Sequence, residues 1–370
     1  MVELVSAKLS LYVWRGALNA VPSTPTYTLQ KTKLSTETII VFEIAELVKD
    51  YVEVIFDGDY GSIVQTSWVY WQVERTYSNN TTDKFTQYAM AFRGYGDVTD
   101  GINPELSKTV MMTNRVVHNK CGDFMTVPVY TFTGDGVTEV VYLNDGTPID
   151  SIITGSSNVF TVAQSINIAA PSDIITIDKT LSTVSSSDDI TTTPVIPINA
   201  NEITFTNADG TTTKVYIECL EDCKNEPRKL SFINKFGVMQ DMWFFAKKTE
   251  SFSSEVESYK KSTLNIGSSA SYRVSEHQNQ YLSNQGKEKI TMSTGFVDES
   301  YGELIKELIV SEYVYMADKV LRSPSDPSFP LAVPITVASR DFDIKTRRND
   351  KLVEYTLEFE ADSDFIQSVR

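Results

Sequence analysis

Two histidines and three cysteines (His118, His277, Cys121, Cys219 and Cys223) are all the imidazole and thiol chemistry this chain of 370 residues carries. His118 stands three positions before Cys121 in Val-Val-His-Asn-Lys-Cys, its closest approach to a nucleophile beside a base. On a strand or loop that spacing does not turn the two side chains toward each other. His277 lies in the polar run Ser-Glu-His-Gln-Asn-Gln, an exposed setting rather than a pocket. Cys219-Leu-Glu-Asp-Cys223 supplies half a metal site, but zinc takes about four ligands and no second Cys/His pair accompanies it. An odd, sparse cysteine count is no disulfide framework either. No Gly-rich phosphate loop precedes a helix, and no Gly-x-Ser-x-Gly elbow occurs. Asp-Gly pairs at 135–136, 145–146 and 209–210 invite a calcium reading, but the Asp-x-Asp-x-Asp-Gly spacing is missing, so turn chemistry explains them. Paired carboxylates are left: a glycosidase needs only two, and 49 acidic residues neither exclude such a pair nor select one. The residues predict no enzyme, no cofactor and no metal, with a glycan hydrolase as the catalytic alternative.

The elements that would position any site are mostly strands. Leu9–Trp14 alternates, Tyr27–Thr32 is a partner for it, and Trp68–Val73 and Phe85–Arg93 form an aromatic pair around the polar tip Ser78–Asp83. Between them Ile44, Leu47, Val48 and Tyr51 recur at i, i+3, i+4 and i+7, which predicts a short amphipathic helix over Glu43–Tyr51. Residues 131–217 differ: Ser, Thr, Asp and Gly crowd a stretch almost empty of Lys and Arg. Short strands at Glu139–Leu143, Ile174–Ile177 and Ile203–Phe205 are predicted there, with Ser182–Thr193 as an exposed loop.

The segment Pro227–Lys248 carries the strongest local signal. Leu230 and Phe232 mark one strand, Asn234–Gly237 a turn, and Met242, Trp243, Phe244 and Phe245 a second strand apolar on both faces. Such a hairpin cannot stand alone in water. It is expected at the centre of a sheet or against another subunit. Thr249–Lys261 follows as an exposed polar run. Asp298–Glu312 predicts a second helix striped by Leu304, Ile305, Leu308 and Ile309 and capped by Asp298 or Ser300. Tyr313–Met316 adds a strand. Pro330–Val337 reads as an extended edge strand, because Pro330 and Pro334 each remove a ladder donor. Lys351–Glu360 alternates with Val353, Tyr355, Leu357 and Phe359 on one face.

The expected class is mainly β with a few short helices (α+β), a multidomain chain of β-sandwich-like domains. Its units are residues 1–130, a mixed β/α platform; 131–217, a small Ser/Thr-rich β domain inserted or projecting; and 218–370, a second mixed β/α domain. Composition agrees, with 18 Tyr, 18 Phe and abundant Thr, Val and Ile that suit a pleated surface. A formal charge of −16 and a pI near 4.7 argue against nucleic acid as partner, since phosphate binding needs clustered Lys and Arg. No apolar run approaches the ~18 residues of a membrane span, and the N-terminus lacks the pattern of a secretion signal.

Two stretches carry a resemblance. Lys229–Phe245, Leu-Ser-Phe-Ile-Asn-Lys-Phe-Gly-Val-Met-Gln-Asp-Met-Trp-Phe-Phe after its lysine, is the first. The second runs from Thr294-Gly-Phe-Val-Asp-Glu299 through Leu308–Tyr315 to Asn349–Phe359. Together they resemble uncharacterised structural proteins of tailed bacteriophages, particularly those of Bacteroidetes and marine bacteria. The likeness covers the C-terminal unit and, more weakly, the N-terminal one; the Ser/Thr-rich middle departs from it. Its motifs are apolar and turn residues, which specify a fold rather than a site. The resemblance implies a virion component at the tail tip, baseplate or neck, assembled in the host cytoplasm and partnered by copies of itself and neighbouring virion proteins. The alternative is an adhesin or fibre-type module whose 131–217 domain binds host-surface glycans. The candidate interface residues are Trp243, Phe244, Phe245, Pro330 and Pro334, with Arg347 and Arg348 as a small basic cluster for an acidic neighbour.

Overall fold

The structure, a computed structural model, describes residues 3–15, 20–60, 65–96, 98–100, 110–120, 124–132, 135–153, 172–178, 201–207, 209–220, 224–267, 269–325, 327, 330–339, 341, 343 and 352–363. The described residues are mainly β, with two short α-helices among them. Near its N-terminus β1 (Leu4–Trp14), β2 (Tyr27–Thr32), β3 (Thr66–Tyr77) and β4 (Thr82–Phe92) make an antiparallel sheet in the order β2-β1-β3-β4. Cross-strand pairs set its two faces: Leu11 opposes Trp71 and Val13 opposes Val69, while Tyr12 opposes Tyr70 and Tyr70 opposes Tyr88. Helix α1 (Ala45–Lys49) lies on the first face, where Val48 packs with Leu11, Val13, Val52 and Val69. On the second face Tyr12, Tyr70 and Tyr88 lean on one another, with ring centres 5.3 and 4.6 Å apart.

The middle sheet is built from β5 (Val116–Lys120), β6 (Phe124–Phe132), β7 (Asp135–Asn144), β8 (Thr147–Ile153), β9 (Ser172–Asp178), β10 (Glu202–Asn207) and β11 (Thr212–Leu220). Its order is β5-β11-β10-β7-β6-β9, with β8 also on β7. β5 and most of β6 thus lie before residue 131. Asp145 and Gly146 hold φ of 47° and 76°, the two left-handed positions of a tight hairpin turn between β7 and β8. Val127, Val140, Tyr142, Ile203, Phe205, Val215 and Ile217 fill its core. The predicted loop Ser182–Thr193 lies outside the described residues.

The C-terminal part holds β12 (Arg228–Ile233), β13 (Met239–Phe244), β14 (Lys248–Lys260), β15 (Leu264–Ile266), β16 (Ala270–Tyr272), β17 (Asn279–Asp298), helix α2 (Tyr301–Val310), β18 (Val314–Arg322), β19 (Pro330–Val337) and β20 (Leu352–Ala361). Seven strands form one sheet, β13-β12-β18-β19-β20-β17-β14, and β15 pairs with β16 alone. The alternation of β20 places Val353, Tyr355, Leu357 and Phe359 in the main core with Leu230, Phe232, Met242, Phe244 and the α2 stripe Leu304, Ile305 and Leu308. Neither predicted cap bonds the helix. Ser300 occupies the N-cap position without a side-chain bond; Asp298 instead accepts from the Ser300 N–H at 2.9 Å, and the Ser300 hydroxyl reaches Asn114 at 2.9 Å.

Two expectations about strand placement are corrected. The hairpin β12–β13 is not central: β13 ends the sheet. Its far face is nevertheless covered within the chain, because Val54, Phe56 and Tyr60 pack on Ile233 and Met239. Pro330–Val337 is not an edge strand either, since β19 runs between β18 and β20. The Pro334 carbonyl points to β20, accepting from the Asp362 N–H at 3.4 Å, just outside the paired run Ile335–Val337. The donor that the ring removes therefore falls where that ladder has already ended. On the same side, upstream, the Ala332 N–H donates to the Asp57 carbonyl at 2.9 Å.

The β12–β13 turn is the meeting point of the three parts. Gly237 takes φ +82°, and a Cβ there would lie 2.7 Å from the Gly94 nitrogen and 2.8 Å from that of Arg93. Gly94 in turn sits against the Lys235 carbonyl, and Tyr95 N–H donates to that carbonyl at 2.9 Å. Gly210, in the β10–β11 turn, has the same φ but nothing within 4 Å. Gly237→Ala should therefore cost both left-handed strain and a backbone clash, about 2–4 kcal/mol together. Gly210→Ala should cost only the strain, about 1–2 kcal/mol. Urea unfolding followed by fluorescence of the four tryptophans, all outside the middle sheet, should resolve the first; equal shifts for both variants would contradict this account of the turn.

Candidate functional site

His118 sits on β5, facing α2. It is 2 % exposed, its ring lies 4.7 Å from that of Tyr301, and its backbone N–H donates to the Tyr301 hydroxyl at 2.8 Å. Nε2 lies 2.8 Å from a Glu218 carboxylate oxygen. That contact is close in distance but off the hydrogen-bonding direction, so neither ring nitrogen is hydrogen-bonded within the described residues. Burial lowers the imidazole pKa below its ordinary value, and the opposing charges of Glu218 and Asp298 do not cancel this. Burial likewise raises the Tyr301 hydroxyl. A neutral imidazole sealed under a helix pins β5 to α2; it has no face to offer a substrate. Its sequence neighbour Cys121, and Cys223, lie outside the described residues, while His277 is exposed. Among the described residues no cluster of three or more His, Cys, Asp or Glu is arranged for a metal ion.

Two further buried polar groups escaped sequence reading. Lys229 and Asp241 face each other diagonally across β12 and β13, Nζ 3.5 Å from Oδ2, both under one-tenth exposed. The Ser231 hydroxyl donates to Asp241 Oδ1 at 2.6 Å, the Tyr60 hydroxyl donates to the same oxygen, and the ammonium stands 5.5 Å over the Tyr60 ring. Glu307, on α2, accepts from Thr113 Oγ1 at 2.5 Å and from the Lys235 N–H at 3.3 Å. Burial raises its carboxyl pKa against those bonds. Both groups join separate parts of the chain. A Lys or Glu spaced among apolar residues gives no sign in sequence that a partner from another unit will bury it.

The predicted interface residues fall in different places. Trp243, Phe244 and Phe245 are 6, 2 and 5 % exposed, so their apolar surface is spent inside the chain. Pro330 is half-buried at the start of β19 and Pro334 is exposed. Arg347 and Arg348 lie outside the described residues.

The exposed apolar surface lies elsewhere. β17 leaves its neighbour β20 after Lys289, which opposes Glu360, yet β14 and β17 stay paired on to Lys260 and Asn279. Ser253–Lys260 and its partner strand thus form a two-stranded ribbon roughly 25 Å long, extended by the β15–β16 hairpin. Phe252, Val256 and Tyr281 share one face of it by register, and Leu282 stands at its bulge. Tyr281 and Leu282 are 70 and 73 % exposed. Sequence reading saw only a polar run here, because Ser and Glu alternate with single apolar residues too far apart to announce a strand.

Comparison with described protein families, with curated proteins and with solved structures finds no match to this chain.

Two measurements test the buried groups. Removing either partner of the Lys229–Asp241 pair strands the other in the interior, so Lys229→Met and Asp241→Leu should each lose about 3–5 kcal/mol while the double variant recovers much of it. Additive losses in urea unfolding would show that the two charges do not interact. For His118, a lowered pKa means the unfolded chain binds the extra proton first. Stability is then full above the ordinary value of about 6.5 and drains as pH falls through that value toward the folded one. The stability advantage of wild type over His118→Gln should shrink between pH 7 and pH 5, and a gap independent of pH would refute the buried neutral ring.

Proposed function

We propose that the chain is a structural component of a tailed-phage virion, at the tail tip, baseplate or neck, working through contacts with its own copies and with neighbouring virion proteins. The observation that carries this reading is the β14–β17 ribbon. A two-stranded ribbon is marginal in water on its own, and this one exposes Phe252, Val256, Tyr259, Tyr281 and Leu282 beyond the sheet that supports it. Surface of that kind is costly unless a partner covers it. The resemblance of Lys229–Phe245 and Thr294–Phe359 to phage structural proteins supports the same reading. So does the way buried histidine, lysine and glutamate serve as fasteners between parts of the chain.

Association through such arms is heterologous: one surface meets a different surface, and the contact closes into a ring or continues as a tube. Sedimentation of the purified chain across micromolar concentrations, electron microscopy of the same samples and mass spectrometry of purified particles test the reading together. Rings, tubes or discrete multimers are expected, with peptides of this chain in the particles. A chain that stays monomeric throughout and is missing from particles would sink it.

A further inference from the structure

The structure assigns the ribbon a docking place on a second copy of this chain: the outer edge of β4 and the groove beside it. The inference rests on the assembly reading above and names the surfaces that would carry it. β4 ends its sheet, and no described strand pairs with its outer side. From Phe85 to Phe92 it reads Phe-Thr-Gln-Tyr-Ala-Met-Ala-Phe, without Pro, Gly or charge. These are the devices by which edge strands normally refuse partners. The ribbon strand β17 matches it. From Asn279 to Gly286 it reads Asn-Gln-Tyr-Leu-Ser-Asn-Gln-Gly, again without charge, and beyond Lys289 its side away from β14 has no described partner.

The groove supplies the place for side chains. On the helix-covered face of the N-terminal sheet, α1 spans five residues and packs over β1 and β3. Beside α1, β4 presents the small Ala89 and Ala91 to that layer, on the same face as Val69, which Ala89 opposes; Gln87, opposite Trp71, and Phe85, opposite Val73, follow on that face toward the strand's start. The small side chains leave an open groove of about 580 Å³ whose apolar lining includes Val48, Val69, Trp71, Ala89 and Ala91, and whose charged lining is Glu46, Lys49, Arg93 and Lys235. A strand added to β4 would continue the sheet, and its inward side chains would enter this groove, as in β-strand addition. Tyr281 and Leu282, the most exposed large residues of β17, are the ribbon's groups for it. Charge points the same way: copies each carrying −16 repel, and a contact between two uncharged strand runs adds no ionic penalty of its own.

The experiment uses the full chain. Tyr281→Asp/Leu282→Asp alters only exposed ribbon residues, and Gln87→Asp/Ala89→Asp places charge on the β4 edge and in the groove; circular dichroism checks that each folds, and Gln87→Asp alone, at an exposed position, replaces the second should it not. Each variant alone should lose assembly at least tenfold in concentration. Mixed together they should form one-to-one dimers and stop there, because one partner keeps the ribbon and the other keeps the edge. Wild-type assembly that survives the β4 variant but not the ribbon variant would overturn this docking place and leave the assembly reading standing. Loss in both variants without dimers on mixing would overturn it also. A wild-type chain that never associates and is absent from particles would take down both.

Discussion

The buried side chain of Asn234 fixes the turn at which the three parts of this protein meet. It is fully enclosed, yet every hydrogen-bonding position it has is used. Its amide donates to the Met111 carbonyl at 2.7 Å and to Gln240 Oε1 at 2.9 Å; its oxygen accepts from Phe236 and Val238 N–H groups at 3.0 and 3.4 Å. The last two bonds shape the turn, and the first ties it to the segment that leads into the middle sheet. An unpaired polar group at this depth would cost about 1–3 kcal/mol, so the turn can exist only where Met111 is delivered to it. Around it the same logic repeats. Gln65 accepts from the Met239 N–H at 2.9 Å, Glu307 accepts from Lys235, and Arg93 binds Glu312 at 2.5 Å while stacking over Tyr313 at 5.1 Å. Tertiary bonds from three separate segments, at Tyr95, Met111 and Glu307, end on this four-residue turn, and those of Gln65 and Arg93 fall beside it, which ties the N-terminal sheet to the C-terminal sheet there.

What was legible in the sequence follows from how far each signal reaches. Helix α1 and helix α2 were visible because their periodicity is local: Ile44, Leu47 and Val48 need only each other to define a face. β20 was visible for the same reason, its four inward residues in strict alternation. The hairpin turn could be placed because Asn and Gly state their conformations without help. Neighbourhood was not legible. Nothing in Trp243-Phe244-Phe245 says whether the cover comes from this chain, as Phe359 covers Phe244, or from another molecule, and these three aromatic residues are interior. Pro334 was misplaced to an edge because a missing donor matters only in a ladder position, and register is a property of two strands, not one. The ribbon was missed by the opposite error: its polarity looked like a loop, although Val256, Tyr259 and Tyr281 had the β-propensity to signal a strand.

These two misreadings have a common physical root. A chain must cover apolar surface, but sequence does not distinguish cover from within and cover from without. Here the richest apolar run is satisfied internally, and a poorer one is left outside on a ribbon that its own sheet cannot support. On the assembly proposed above, internal satisfaction of the strongest run would give a monomer able to fold before it meets its neighbours. Weak surface carried on an arm keeps early association reversible. A ring-forming protein benefits from that order of events, since each copy must fold, dissolve and only then lock.

Net charge sharpens the argument. At physiological ionic strength, charges are screened beyond about 8 Å, so the −16 of one copy weakly opposes another at a distance but acts fully at contact. An assembly surface on such a chain must either import basic groups or be free of charge. Within the described residues many of the basic groups are already held in ion pairs, among them Arg15 with Glu53, Arg75 with Asp83, Arg93 with Glu312, Lys214 with Glu202 and Lys289 with Glu360. Neutral strand edges are then the surfaces on which two copies can meet without new ion pairs, and main-chain hydrogen bonds, indifferent to net charge, would set how strongly they hold.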